Sequence, residues 1–368
     1  MALAILLSCL AVIYTARVVY FIVGFIREHR RWNNTSTYPT VSVVVPARNE
    51  DKNLLRCVEA LMTTDYPPDR IEYIFVNDRS TDKTAECLNR LALQYPIRIV
   101  HKEVDDNNPN LRGKPGALQY GIDNAGGEIV LMTDADCRVS AGWVRGMVAQ
   151  FSSPDVGLVS GITGVEGSRL LQQAQMVEWL YTQSMAAGAV GNGTALGCFG
   201  NNLAIRRNIF TDLGGYRSIA FSLTEDMALQ KAVKNAGYQL RFAIAPSASV
   251  LTLPCSHFME YVKQRHRWVR GGTALGMKAV LFVATSIALW AGVAISAVFE
   301  MWILLWCFLF LRLIADSSLV YVASSLTKHR VSPFVIIPSM LFLVLTELFL
   351  PVLVLKKKVT WKNQVFRM

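Results

Sequence analysis

Close cysteine pairs are missing from this sequence. Its seven cysteines, at 9, 57, 87, 137, 198, 255 and 307, are scattered, with no spacing that suits zinc or a compact disulfide framework. That argues against a stapled scaffold and for a reducing compartment. Charge is also scarce: 17% of the 368 residues are charged against 52% hydrophobic, and the mean hydropathy is +0.31. The balance is too apolar for an ordinary soluble enzyme and too polar for a pure bundle of spans, so a soluble domain with membrane segments fits best. A basic-aromatic reading surface is lacking too, so the net charge of +10 does not point to nucleic acid. The basic residues instead stand beside apolar runs (Arg27, Arg30, Arg31; Lys328, Arg330; Lys356, Lys357, Lys358), as cytoplasmic membrane flanks do.

The N-terminus has no positive n-region, and its apolar run, residues 2–26, is longer than a signal-peptide core. It reads as a retained anchor. The flank "REHRRW" after it puts everything beyond Arg27 in the cytoplasm by the positive-inside rule. Arg17, in mid-span, is expected to face other helices or to snorkel. The tail offers three further segments near the length a crossing helix needs, 279–299, 301–325 and 333–355, the first two forming a hairpin at Glu300. Arg312 and Asp316 stand four apart and can pair inside a bundle. Three tail crossings would leave Lys356 to Lys358 outside, against the charge rule. Either the last segment, interrupted by Pro338, Glu347 and Pro351, does not fully cross, or the rule is broken.

From Val41 to about Val250, β-branched runs ("VSVVVPA", "IEYIFVND", "IRIVH", "EIVLMTDAD") alternate with helical stretches beginning near Asp51 and Thr81. This implies a parallel sheet covered on both faces, with ligands beyond the carboxyl ends of its strands. Three acidic groups fall there. Asp78 follows "IFVN", where an Asx turn or cap would also explain it. Asp134 and Asp136 end a buried strand as Asp-x-Asp, a pair of hard oxygen ligands for Mg²⁺ or Mn²⁺ that leaves positions open for a diphosphate. Glu225 and Asp226 begin a helix that Thr224 can cap and Gly237 can end. The acid pair is followed by "KQRHRW", read either as an interfacial helix or as the cations and flat ring of a group-transfer site.

The motifs "VVVPARNE" (43–50), "VNDRSTDKT" (76–84), "GKPGAL" (113–118), "TDADC" (133–137), "CFGNNLAIRR" (198–207), "LTED" (223–226) and "QRHRW" (264–268) occur in the order of one family. The chain resembles the membrane-bound family 2 glycosyltransferases, the branch with ceramide glucosyltransferase and the cellulose, chitin and hyaluronan synthases. The resemblance implies an A-type glycosyltransferase fold, an α/β Rossmann-like mixed sheet, with an N-terminal transmembrane anchor and a C-terminal transmembrane helical region. It places Pro46, Glu50, Asp78, Lys114 and Asp134 about the nucleotide sugar, with Asp78 reading the base, commonly uracil. It places Asp134 and Asp136 on a Mg or Mn cation. Asp226 is implied as the base, beside Glu225, and Gln264, Arg267 and Trp268 as the group closing over diphosphate and acceptor. Asn77 departs from the second aspartate of many members, and Pro115 stands where alanine is common. The expected organisation is an anchor at 1–31, a cytoplasmic catalytic domain at 32–255, an interfacial segment at 256–278 and a membrane region at 279–368. The expected activity is inverting transfer of a hexose from a nucleotide sugar, UDP foremost, to a membrane lipid, with a processive polysaccharide synthase as the alternative. The setting is a multi-pass protein of the bacterial inner membrane or its equivalent, and the partners are the donor, a lipid or glycan acceptor and the membrane, with no nucleic acid.

Overall fold

The computed structural model describes residues 2–32, 37–104, 107–272, 277–329, 331–355, 358–361 and 364–367. The basic residues Arg330, Lys356 and Lys357 lie outside them. The chain opens with α1 (Ala2–Arg30), followed by β1 (Val41–Ala47), α2 (Leu54–Met62), β2 (Ile71–Asp78), α3 (Thr84–Ala92) and β3 (Ile97–Lys102). Next come α4 (Lys114–Asp123), β4 (Ile129–Met132), β5 (Arg138–Val139), α5 (Trp143–Val148), β6 (Val156–Gly161), β7 (Thr163–Val165) and α6 (Leu170–Gly191). Then follow β8 (Leu203–Arg206), α7 (Arg207–Asp212), α8 (Gly215–Ser218), α9 (Glu225–Asn235), β9 (Gln239–Ala243), β10 (Val250–Thr252) and α10 (Phe258–Gly272). The tail holds α11 (Met277–Val298), α12 (Trp302–Thr327), α13 (Pro333–Leu355) and a hairpin of β11 (Lys358–Trp361) with β12 (Gln364–Arg367).

The main sheet runs β3-β2-β1-β4-β8-β6-β9. It is mixed: β8 is antiparallel to β4 and β6, while the other pairings are parallel. Alternation sorts β1 between two cores. Val41, Val43 and Val45 pack with Leu54, Leu61 and Trp143, whereas Val44 packs with Leu118, Ile122 and Leu180. Both faces are therefore dry, which is why these strands read as continuous apolar runs. The β1–β4 pairing stops at Val44–Met132, so Pro46 lies past it, where a strand residue without an N–H is tolerated. The carboxyl ends of β1, β2 and β4 consequently lie at one edge, as expected.

Helix α6 belongs to two cores at once. Leu180, Ala187 and Val190 pack on the sheet, while Val177, Tyr181 and Ala189 pack with α1, α11, α12 and α13. Its contact with α1 is glycine-lined: a Cβ on Gly24 would lie 1.9 Å from the Gly188 carbonyl oxygen, and one on Gly191 would lie 2.0 Å from the Gly24 oxygen. Such small residues let helix backbones meet where apolar solvent gives no drive to associate. Glu28, near the end of α1, is fully buried against the sheet, accepting from Arg241 Nε at 2.6 Å and from the Phe242 N–H at 2.9 Å. The first helix is thus a packed part of the domain as well as an apolar segment.

The polar residues inside the bundle are spent on one another. Arg17 faces other helices, donating to Thr285 Oγ1 at 3.0 Å and Ser286 Oγ at 2.8 Å. Arg312 and Asp316 pair at 3.6 Å as their spacing predicts, Tyr14 donates to Asp316 at 2.8 Å, and Glu347 meets Arg312. The turn between α11 and α12 falls at Glu300, whose φ is +55°. Among the described residues two stretches, Ile5–Arg30 and Trp302–Thr327, are long and apolar enough to cross a membrane.

Candidate active site

The site lies where β1, β2 and β4 end and α4 and α9 begin. Asp78 closes β2 but caps nothing. It is buried, with Arg79 Nε at 2.8 Å and Lys102 Nζ at 3.9 Å from Oδ1, and Arg48 Nη1 at 3.7 Å from Oδ2. Beside it Glu50 accepts from Asn53 Nδ2 at 2.7 Å, and its own N–H donates to Thr84 Oγ1 at 2.8 Å. Asn49 takes φ +55°, and its side chain accepts from the Thr81 N–H at 2.8 Å. The loops after β1 and β2 are thereby tied together, and Pro46 lies at their base.

Lys114 joins the remaining acids. Gly113, at φ +67°, turns the chain directly into α4. The Lys114 Nζ then lies 2.6 Å from Asp134 Oδ1 and 3.1 Å from Glu225 Oε1. Burial opposes the ammonium charge, yet Asp134 and Glu225 outweigh it and hold the pKa above the ordinary lysine value. Asp226 accepts the Gly200 N–H at 2.7 Å on one oxygen and the Met227 N–H at 2.8 Å on the other. Its burial, and then the charge of Glu225, push it up to about 7, with Lys114 pulling the other way. That value suits a proton acceptor working near neutral pH. Gly200 is needed for the closeness: a Cβ there would stand 3.2 Å from Glu225 Oε1, 3.3 Å from Lys114 Nζ and 3.4 Å from Asp226 Cβ. The expected Thr224 cap is not formed. Its hydroxyl lies 3.2 Å from Ser222 Oγ instead, whereas Gly237, at φ +90° directly after the cap residue Ala236, ends α9 as expected.

Asp134 is one-third exposed, and Cys137 Sγ lies 3.5 Å from Asp136 Oδ1. Among the described residues no three His, Cys, Asp or Glu side chains converge. Two carboxylates at a strand end nevertheless suit Mg²⁺ or Mn²⁺, which take one or two protein carboxylates and fill their other positions with substrate phosphate and water.

A small cleft opens beside Lys114 and Glu225, lined by Arg112, Lys114, Phe221, Leu223, Glu225 and Arg267 among others. Arg267 of α10 is therefore brought to Lys114 and Glu225 across more than 40 residues of sequence. Trp268 is turned aside: its ring meets Trp179 edge-on at 5.1 Å, and Arg265 Cζ lies over it at 4.1 Å. The Gln264 Oε1 is buried and has no hydrogen-bond partner among the described residues. The Asp78 group stands apart from the cleft, two strands from Asp134, a separation of roughly 10 Å at ordinary strand spacing. Sequence reasoning passed over Arg48, Arg79, Lys102, Gly200, Glu178 and Arg265. Arg48, Arg79, Gly200 and Arg265 lie inside the quoted motifs, whereas Lys102 and Glu178 lie outside all of them.

Comparison with known proteins agrees with the geometry. Residues 3–368 match the family model of glycosyl transferase family 21. A probable glycosyltransferase of Bacillus subtilis, YdaM, is 32% identical over 69% of this chain and 60% of its own length. The beta-monoglucosyldiacylglycerol synthase of Synechocystis is 28% identical over 65% of this chain and 49% of its own. A poly-beta-1,6-N-acetyl-D-glucosamine synthase of Staphylococcus epidermidis is 26% identical over 63% of this chain and 54% of its own. The chain thus spans about half to three fifths of these relatives. Among solved structures, a mannosyltransferase of Pyrobaculum calidifontis with GDP-Man and Mn²⁺ superposes with a TM-score of 0.60, at 20% identity, over 87% of this chain and 98% of that one, which shows a shared fold. By its ordered motifs, its mixed sheet and its match to the family over nearly its whole length, the chain belongs to glycosyl transferase family 21.

Proposed function

We propose that the protein transfers one hexose from a UDP-sugar to the hydroxyl of a membrane lipid, with inversion, at the cleft lined by Lys114, Glu225 and Arg267, next to Asp226. The observation that carries this is Asp226: buried, raised to about 7 and held on both oxygens by backbone N–H groups beside a cationic cleft. In this reading the acceptor O–H proton passes to Asp226 as its oxygen bonds to the anomeric carbon. The bond from that carbon to the diphosphate breaks on the opposite face, giving inversion in one displacement. Lys114 and Arg267 supply preorganised positive charge for the departing nucleoside diphosphate. Pro46, Glu50 and Asp78 hold the nucleoside end. Asp134 and Asp136 would hold Mg²⁺ or Mn²⁺, which supplies Lewis-acid charge at the diphosphate when bound. Glu225, paired with Lys114, sets the field around Asp226, while Gln264 and Trp268 border the acceptor side.

The lipid acceptor is favoured by where the cleft lies. Tyr261 of the helix that carries Arg267 packs on Phe342 of α13 at 5.1 Å, so the site adjoins the apolar bundle. Arg17, Arg312, Asp316 and Glu347 are consumed by mutual pairing rather than lining a path for a polymer. The Synechocystis relative named for glucosyldiacylglycerol points the same way, whereas the Staphylococcus synthase represents the processive alternative. We place residues 1–31 and 279–368 at the membrane, 256–278 at its surface and 32–255 in the cytoplasm. Purified protein, labelled UDP-sugars and a membrane lipid extract test the reading when products are separated by size. One labelled lipid is expected; a ladder or high-mass polymer would overturn it.

A further inference from the structure

Resting on the transferase reading above, we propose that Glu178 is a positioning residue. It lies in mid-helix on α6 and no quoted motif contains it. Both its oxygens are committed to α10. Arg265 Nε lies 2.6 Å from Oε1, Arg265 Nη2 donates to Oε2 at 2.7 Å, and the Tyr261 hydroxyl donates to Oε2 at 2.8 Å. Arg265 and Glu178 are both buried. The Nη2 hydrogen bond, with Nε in ion contact beside it, holds the guanidinium to α6, and the two flanking rings set its plane.

That plane is put to use. The guanidinium is sandwiched between Tyr261, 4.6 Å from the ring centroid, and Trp268, 4.1 Å away. The residue after Glu178, Trp179, meets the edge of Trp268 and also packs on Phe199 at 5.8 Å. Phe199 precedes Gly200, whose N–H binds Asp226. One turn of α6 thus holds the helix bearing Arg267 and Trp268 and touches the loop that orients the base.

The test uses the full-length protein in detergent or lipid. Glu178→Gln leaves Arg265 with a buried, uncompensated charge, so a fall in the unfolding midpoint is expected along with a fall in activity. The paired variant Glu178→Gln/Arg265→Gln removes that charge and separates the two effects. The pair is expected to regain the wild-type midpoint, to bind UDP as wild type does, and yet to transfer about 10²-fold more slowly, since misplacing a catalytic element by an ångström costs that much. Amide exchange over residues 261–272 should be faster than in wild type, a readout that needs no turnover. Recovery of both midpoint and kcat, or unchanged exchange in that segment, would overturn the proposal. Failure of the transferase reading shows differently, as wild-type protein that moves no sugar.

Discussion

At the residue scale the site works by setting carboxylates against a small number of cations. Asp226 and Glu225 are neighbours in sequence, and both cannot ionise cheaply in a buried place. Burial, and then the charge of Glu225, raise the Asp226 pKa, while Lys114 pulls it the other way. With Asp226 as the proposed base, which must be deprotonated to act, kcat/KM should rise with pH through about 7 and level off above it. Asp226→Asn should bind the nucleotide with little change, lower transfer by about 10²-fold or more and erase that rising limb. A larger loss in Glu225→Gln, with Asp226→Asn near wild type, would reassign the base.

At the scale of elements, α10 is set against α9 by a missing side chain. A Cβ on Gly271 would lie 2.3 Å from both Cγ2 and Oγ1 of Thr224, the residue before the acid pair. Gly271→Ala should therefore push α10 away from α9 and slow transfer by about tenfold or more, with UDP affinity retained. Equal kcat in that variant would show that the contact does not set the cleft. Much of this arrangement was legible beforehand: the strand-end position of Asp78 and Asp134, the helix start at Glu225, and the Arg312–Asp316 spacing all follow from local pattern. The remainder was hidden because its partners are remote. Glu178 and Arg265 lie 87 positions apart, and Glu28 and Arg241 lie 213 apart. The antiparallel insertion of β8 was also invisible, since four residues, "LAIR", carry no period that distinguishes strand direction.

At the scale of the whole molecule, the structure bears on the conflict left by the tail charges. Val331, just before α13, packs against the catalytic core. Val359, just after α13, is buried with Leu223, which lines the cleft. Residues at both ends of α13 thus touch the catalytic domain, while Val331 also packs on the bundle. Alongside, α13 packs on α6, which is itself part of the sheet's cover. In contrast, α11 and α12 form a hairpin that turns at Glu300. An anchor, a hairpin and a non-crossing α13 would put the C-terminus with the catalytic domain, where Lys356 to Lys358 satisfy the charge rule. A reporter fused after Met368 and another inserted at an exposed catalytic-domain loop near Gln94 should then respond alike: both protected in intact cells and both cleaved once the membrane is opened. Cleavage of the C-terminal reporter alone in intact cells would show that α13 crosses, and the packing of Val359 on Leu223 would then have to be abandoned.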